Sequence, residues 1–426
     1  MRTRIENGYL ITADSQYKSM NGCIIIEDEI IVYAGPGEYS PDIPADRVID
    51  AKGGIVMPGF INTHSHVPMS LLRGYADDLP LMEWLTKSVW PAEEKMDEDA
   101  AYWGSMLAIA EMAAGGVTCF SDMYGFTRQI AKAARDSGMR ALISTGILDT
   151  DGRGGERLKD AEAFLEEVSD FPLIGAALGP HAEYTVSPAL FEKVRDSAQK
   201  HNTRIHVHIS ETRGEHEECV KRHGKTPIEP LDSLGLLDLP VMAAHCVWVS
   251  DNDIALMAQK NVSALSCPGS NLKLGSGIAR VSAMIKAGVN VSCGTDGAAS
   301  NNNLSMMEEM SLIALLQKGV ELNPAVIPAK EAVRIATING AKALGIGGIT
   351  GSLEAGKQAD IIIVDTQGMR YCPKTNLINH LVYSGGDCDV KLTMVNGNII
   401  YENGEIKFKD ISEIKAKAAY HAARLI

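Results

Sequence analysis

Two hydrophobic rhythms divide this chain. Through its middle, apolar runs of four to eight residues alternate with amphipathic stretches of ten to twenty, the pattern of βα units that build a parallel sheet. Eight runs read as strands, at 59–64, 117–123, 140–146, 173–179, 204–209, 240–245, 262–266 and 289–295. Helical periodicity fills the gaps, as in Asp97 to Ala114, Pro188 to His201 and Leu304 to Gln317. Eight parallel strands over this span predict an α/β fold, a (β/α)8 TIM-type barrel. A doubly wound open sheet is the other arrangement the pattern allows.

The two ends read differently. Short strands at 8–12, 22–27 and 30–34, punctuated by Gly35-Pro36-Gly37, are matched near the other terminus by 360–365 and by 390–400 with a turn at Asn396-Gly397. Both termini are therefore expected to build one small β-sandwich domain, residues 1–57 and 358–426, with the barrel at 58–357 inserted between them. The amphipathic stretch 411–426 reads as a covering helix.

Composition narrows the function. The chain has 426 residues, 45% hydrophobic and 22% charged, which suits one large domain with a smaller one. A net charge of −14 argues against nonspecific nucleic-acid binding, which needs Lys and Arg to neutralise phosphates. No run approaches the roughly 20 apolar residues of a membrane span, and no apolar segment follows Met1-Arg2-Thr3-Arg4. A cytoplasmic enzyme without nucleic-acid or membrane partners is expected, and an exposed barrel flank suits a homo-oligomer. Eight cysteines stand singly, with no C-x-x-C, so they are expected to be reduced and mostly buried. The missing C-x-x-C also removes the cysteine-ligated zinc deaminase pattern.

Chemistry-bearing residues collect where the predicted strands end. In His64-Ser65-His66 two imidazoles share one face of an extended segment and can reach one ion. His181 follows the fourth strand, His208 ends the fifth, His245 the sixth and Asp296 the eighth, and barrel enzymes build their sites at such ends. A buried Asp there is costly without a cation or donors around it, so Asp296 joins His64, His66 and His208 as a donor set for one catalytic divalent metal. The alternative for Asp296 is a cap on the turn Gly297-Ala298-Ala299. Either His206 or His208 could face inward; His208 is favoured because it lies nearer the strand end. Glu211, three residues on, is placed to act as general acid/base, whereas Glu215, Glu217 and Glu218 read as solvated helix-start charges. His245 is either a core histidine or a group that orients the attacking water.

The stretches PGFINTHSHVPMSLLRGYADDLPLMEWL, HVHISET, AAHCVWVS, SNLKLGSG and GTDGAASNNNLSMMEEM resemble the amidohydrolase superfamily, and within it the methylthioadenosine/S-adenosylhomocysteine deaminase branch. The resemblance covers nearly the whole chain, in order. It implies one divalent metal, usually zinc, with iron or manganese compatible with the same ligands, held by His64, His66, His208 and Asp296. It implies a nucleoside substrate whose ribose hydroxyls meet Glu93, with His181 and Arg157 as further contacts, and hydrolytic deamination at C6 of adenine by Asp296, Glu211 and His245. Relatives that handle S-adenosylhomocysteine can carry an arginine just after the third strand. Thr145 stands at that position, so methylthioadenosine, 5′-deoxyadenosine and adenosine are at least as well matched. The same centre also serves guanine, cytosine or triazine rings, and a metal-free structural protein on this barrel is the alternative from another class.

Overall fold

The computed structural model describes residues 1–41, 43–79 and 81–426; Pro80, inside the LLRGYADDLPLMEWL motif, lies outside them. The central apolar runs form eight strands: β1 (Phe60–Ser65), β2 (Val117–Tyr124), β3 (Arg140–Ile147), β4 (Ile174–Pro180), β5 (Ile205–Ile209), β6 (Val241–His245), β7 (Ser263–Ser266) and β8 (Asn290–Cys293). Each pairs in parallel with its neighbour in chain order.

Side-chain and main-chain hydrogen bonds bring the ends of this sheet together. Thr63 Oγ1 donates to Cys293 O at 2.8 Å, Thr295 N to Asn62 Oδ1 at 3.0 Å and Asp296 N to His64 O at 2.9 Å. Gly294 permits the approach, since a Cβ there would lie 2.5 Å from His64 N. The strands thus form a nearly closed cylinder, not an open sheet, and this junction sets Asp296 beside the His64-Ser65-His66 segment.

Helical segments pack outside as α1 (Glu98–Ala114), α2 (Pro188–His201), α3 (Arg213–His223), α4 (Met306–Glu321) and α5 (Ile411–Leu425), among others. Capping sets their starts. Asp97 accepts from Ala100 N ahead of α1, and Ser305 accepts from Glu308 N, so α4 begins two residues after the Leu304 expected from its periodicity. No helix among the described residues is long and apolar enough to cross a membrane.

Among the described residues, nine strands from both termini join edge to edge in one sheet. Strand Ile55–Pro58 links the two contributions, running parallel to Arg2–Ile11 and antiparallel to Ile361–Val364. Alternation divides the faces: Ile361 and Ile363 pack with Ile24 and Leu392, whereas Ile362 and Val364 join the barrel's core. Only Gly59 separates Pro58 of the sheet from Phe60 of the barrel, and a Cβ there would lie 2.1 Å from Thr118 Cγ2. A buried pair ties sheet to barrel: Arg140 at the start of β3 meets both oxygens of Asp360 at 2.8 and 3.1 Å. All cysteines are free and, as expected, most are buried, six in all; the exposed two, Cys372 and Cys388, lie outside the apolar runs, Cys388 in the short helix Asp387–Asp389.

Candidate active site

The strand ends converge as the barrel requires. Ligand atoms of His64, His66 and His208 lie within 4.8 Å of one another, and so do those of His64, His245 and Asp296. Asp296 Oδ1 stands 3.3 Å from His66 Nε2 and 3.6 Å from His64 Nε2. Three of the turning residues have left-handed backbone, with φ of +50° at Ser210, +70° at His245 and +61° at Asp296. Such conformations cost free energy for non-glycine residues and concentrate at functional sites.

Second contacts orient the rings. His66 Nδ1 bonds Met123 O at 2.6 Å, His208 Nδ1 bonds His181 O at 2.8 Å, and His64 Nδ1 meets His206 Nε2 at 2.9 Å. A backbone carbonyl only accepts, so His66 and His208 carry their hydrogen on Nδ1 and leave Nε2 as a lone pair. His64 Nε2 is buried without a hydrogen-bond partner, an orphan that a cation would satisfy. Burial, with the neighbouring imidazoles, holds His64 and His208 well below the ordinary histidine range, hence neutral as metal ligands must be. Burial pushes Asp296 upward, but His66, His245 and the hydroxyls of Ser270 and Ser300 outweigh it and hold the carboxyl low. Three imidazoles and an ionised carboxylate fit a divalent metal.

Asp296 faces the imidazoles, and its Oδ1 also accepts from Gly297 N at 2.7 Å, the next peptide along. Ser270 and Ser300 donate to Oδ2 at 2.6 and 2.8 Å. Glu211 Oε2 lies 3.8 Å from His245 Nε2, and burial raises the Glu211 carboxyl above its usual range. His245 Nδ1 bonds Asn271 Oδ1 at 2.9 Å. Burial pushes His245 down, but Glu211 and Asp296 outweigh this and raise it.

These groups open into a cavity of about 310 Å³, within the range of small-molecule sites. Trp84, Leu85 and Trp90 give it apolar walls, and Glu93, Arg157 and His181 line it as well. Glu93 accepts from the Tyr124 hydroxyl through Oε1, and burial raises its carboxyl. His181, pushed down to about 4 by burial, bonds Thr185 Oγ1 at 3.0 Å. Arg157 is already engaged: its two terminal nitrogens meet both Asp151 oxygens at 2.6 and 2.7 Å, and Leu148 O at 2.9 Å. Thr145 is buried away from the cavity, and its neighbour Gly146 lines it.

One expectation is corrected. Glu217 and Glu218 are exposed, but Glu215 is half-buried, lines the cavity and binds the backbone of Ser210 and Glu211. A signal was present in Thr212-Arg213-Gly214-Glu215, the T-x-x-E pattern whose glutamate turns back to main-chain N–H groups. Tyr124, Ser270, Ser300 and Asn271 also support the site; the last three lie in the SNLKLGSG and GTDGAASNNNLSMMEEM stretches, whereas nothing in the local sequence marks Tyr124.

Residues 55–400 match the sequence profile of the amidohydrolase family. The chain belongs to the amidohydrolase family. This amidohydrolase is 42% identical, over the full length of both chains, to a 5-methylthioadenosine/S-adenosylhomocysteine deaminase of Thermoanaerobacter pseudethanolicus. It is 45% identical to one of the same description from Dictyoglomus thermophilum, over 89% of this chain and 90% of the other. It superposes with a TM-score of 0.96 on a crystal structure of an adenosine deaminase from Xanthomonas campestris with bound zinc, at 35% identity over 99% of this chain and 98% of that one.

Proposed function

We propose that this amidohydrolase removes the exocyclic amino group of adenine in adenosine-type nucleosides, releasing ammonia and an inosine-type product. One observation carries the reading: His66, His208 and Asp296 face the same cavity as Glu211 and Glu93, and the buried His64 brings its ligand atom within 4.8 Å of those of His66 and His208. These three histidines and Asp296 would hold one zinc ion per chain. A divalent cation there lowers the pKa of a water toward about 7 and so supplies the nucleophile near neutral pH.

The chain's own groups do the rest. Asp296 accepts a proton from the water as its oxygen adds to C6, and Ser270 and Ser300, bonded to Oδ2, keep the carboxylate in place. Glu211, biased toward its protonated form by burial, donates to N1 and disperses the charge gathering on the ring. His245, with Nδ1 committed to Asn271, turns Nε2 to the incoming oxygen. Asp296 then returns its proton to the amino group, the C6–N bond breaks to release ammonia, and the C6 hydroxyl proton passes back to Glu211 as the C6 carbonyl forms. Glu93 spends Oε1 on Tyr124, leaving Oε2 for the ribose hydroxyls.

Two features support a small, uncharged 5′ substituent. Arg157 is the one Lys or Arg lining the cavity among the described residues, and Asp151 already neutralises it. The end of β3 presents Gly146 to the cavity and no cation. The test is ammonia release from the purified protein across adenosine, 5′-deoxyadenosine, methylthioadenosine and S-adenosylhomocysteine, with guanine and cytosine as controls. Turnover of nucleosides alone is expected, with S-adenosylhomocysteine weakest; turnover of a free base alone would refute the reading.

A further inference from the structure

Glu215 has no part in the chemistry above, yet both its oxygens are committed to the backbone beside Glu211. Oε1 accepts from Ser210 N at 2.9 Å and Oε2 from Glu211 N at 2.7 Å. These are the first two peptides beyond β5, and Ser210 holds φ at +50°, a region serine enters at a cost. On its carbonyl side, Ser210 O accepts from Val247 N at 3.1 Å and Trp248 N at 2.9 Å. Those residues follow His245 and Cys246, whose φ values are +70° and +49°. One strained residue is thus bonded through its N–H to Glu215 and through its C=O to the turn that carries His245.

Glu215 is itself well anchored. It is the third residue of α3, and its N–H donates to the capping hydroxyl of Thr212 at 3.1 Å. In the usual reciprocal cap the glutamate returns to the N–H of the capping residue. Here it reaches past Thr212 to the two residues before it, and so ties the helix start to the strand end.

We propose that Glu215 is a positioning residue: its two oxygens hold the left-handed turn at Ser210, which aims Glu211 into the cavity and braces the His245 turn. The proposal rests on the reading of Glu211 as the group that moves a proton to the ring. Glutamine at 215 would match the volume but offer one acceptor and turn an amide N–H toward a backbone N–H. Glycine at 210 would adopt the positive φ without restraint.

The experiment compares wild type, E215Q and the double variant S210G/E215Q for kcat, KM and metal content on a 5′-substituted adenosine, with crystal structures of each. E215Q is expected to lose roughly 10- to 100-fold in kcat, as misaimed catalytic groups do, with metal content unchanged and KM within about threefold. S210G/E215Q is expected to recover at least about threefold of that loss. A kcat of E215Q within about threefold of wild type overturns the proposal, and so does a loss that S210G leaves untouched. Should E215Q fail to fold, E215D, whose acceptors fall one methylene short, takes its place with S210G/E215D. If wild type releases no ammonia from any nucleoside, the deaminase reading fails separately. The crystal structures then decide: a Ser210 turn and Glu211 carboxyl unmoved in the variant overturn the positioning role, and their displacement supports it.

Discussion

His64 Nδ1 lies 2.9 Å from His206 Nε2, joining the first and fifth strands on the side of the ring opposite its unpartnered Nε2. The other nitrogen of His206 meets Ser144 Oγ at 3.1 Å, and burial pushes His206 down to about 3, so its ring is neutral. A neutral His206 that accepts at Nε2 keeps the hydrogen of His64 on Nδ1 and the lone pair on Nε2. His66 and His208 receive the same service from backbone carbonyls, which mutation cannot remove; His64 depends on a side chain.

Replacing His206 with Asn is therefore expected to weaken metal binding by about 10- to 100-fold, the usual consequence of losing a ligand's hydrogen-bond partner. Competition with a chromophoric chelator measures it. Unchanged affinity would show that His64 keeps its tautomer without help.

Glu211→Gln removes the donated proton but keeps the shape. About a 100- to 1000-fold fall in kcat is expected, with metal content unchanged by elemental analysis. In wild type, kcat/KM should fall as pH rises through the raised pKa of Glu211, because the proton must be present to be given. The variant should lose that limb of the profile.

Glu93→Ala takes away the carboxylate left open to the ribose. KM for nucleosides is expected to rise roughly 10- to 100-fold, in line with about 1.5–3 kcal/mol for hydrogen bonds to a charged group. Any residual turnover of a free base should not change. Equal effects on both substrate types would place Glu93 elsewhere in the reaction.

Chelation followed by dialysis should abolish ammonia release while leaving far-ultraviolet circular dichroism in place, since the barrel's core does not depend on the ion. Adding zinc back at roughly 1,000 times its Kd should restore activity and add about 4 kcal/mol of stability by mass action. A rise in melting temperature on readdition reads this out.

Arg140→Met leaves Asp360 buried, uncompensated, at the seam between sheet and barrel, where both side chains are at most 5% exposed. A loss of roughly 3–5 kcal/mol is expected in chemical denaturation. Adding Asp360→Asn should recover much of it, because the neutral amide no longer needs a cation.

How much of this was legible before folding depends on the range of the interaction. Strand positions in the barrel were read to within one or two residues, because a buried parallel strand writes its own apolar run between turn residues. The histidines and Asp296 were legible for the same local reason: they are the polar residues that interrupt or end those runs. The boundary of α4 shifted because Ser305 could cap and Leu304 could not. Glu93 and Arg157 resemble surface charges in the chain and entered only through resemblance to other proteins. Glu215 resembles one as well, and the fold instead turns it under the strand end.

By itself, the amino-acid order determined the eight-strand repeat, the sheet-forming termini and the residue types available where strands end, since periodicity and turn chemistry act over a few neighbouring residues. Tertiary structure alone decided that His206 supports His64, that Arg140 pairs with Asp360, and that Ser270 bonds Asp296. Those outcomes depend on which distant groups folding brings within 3 Å of each other, and on the loss of solvent around them, neither of which is written in a local pattern.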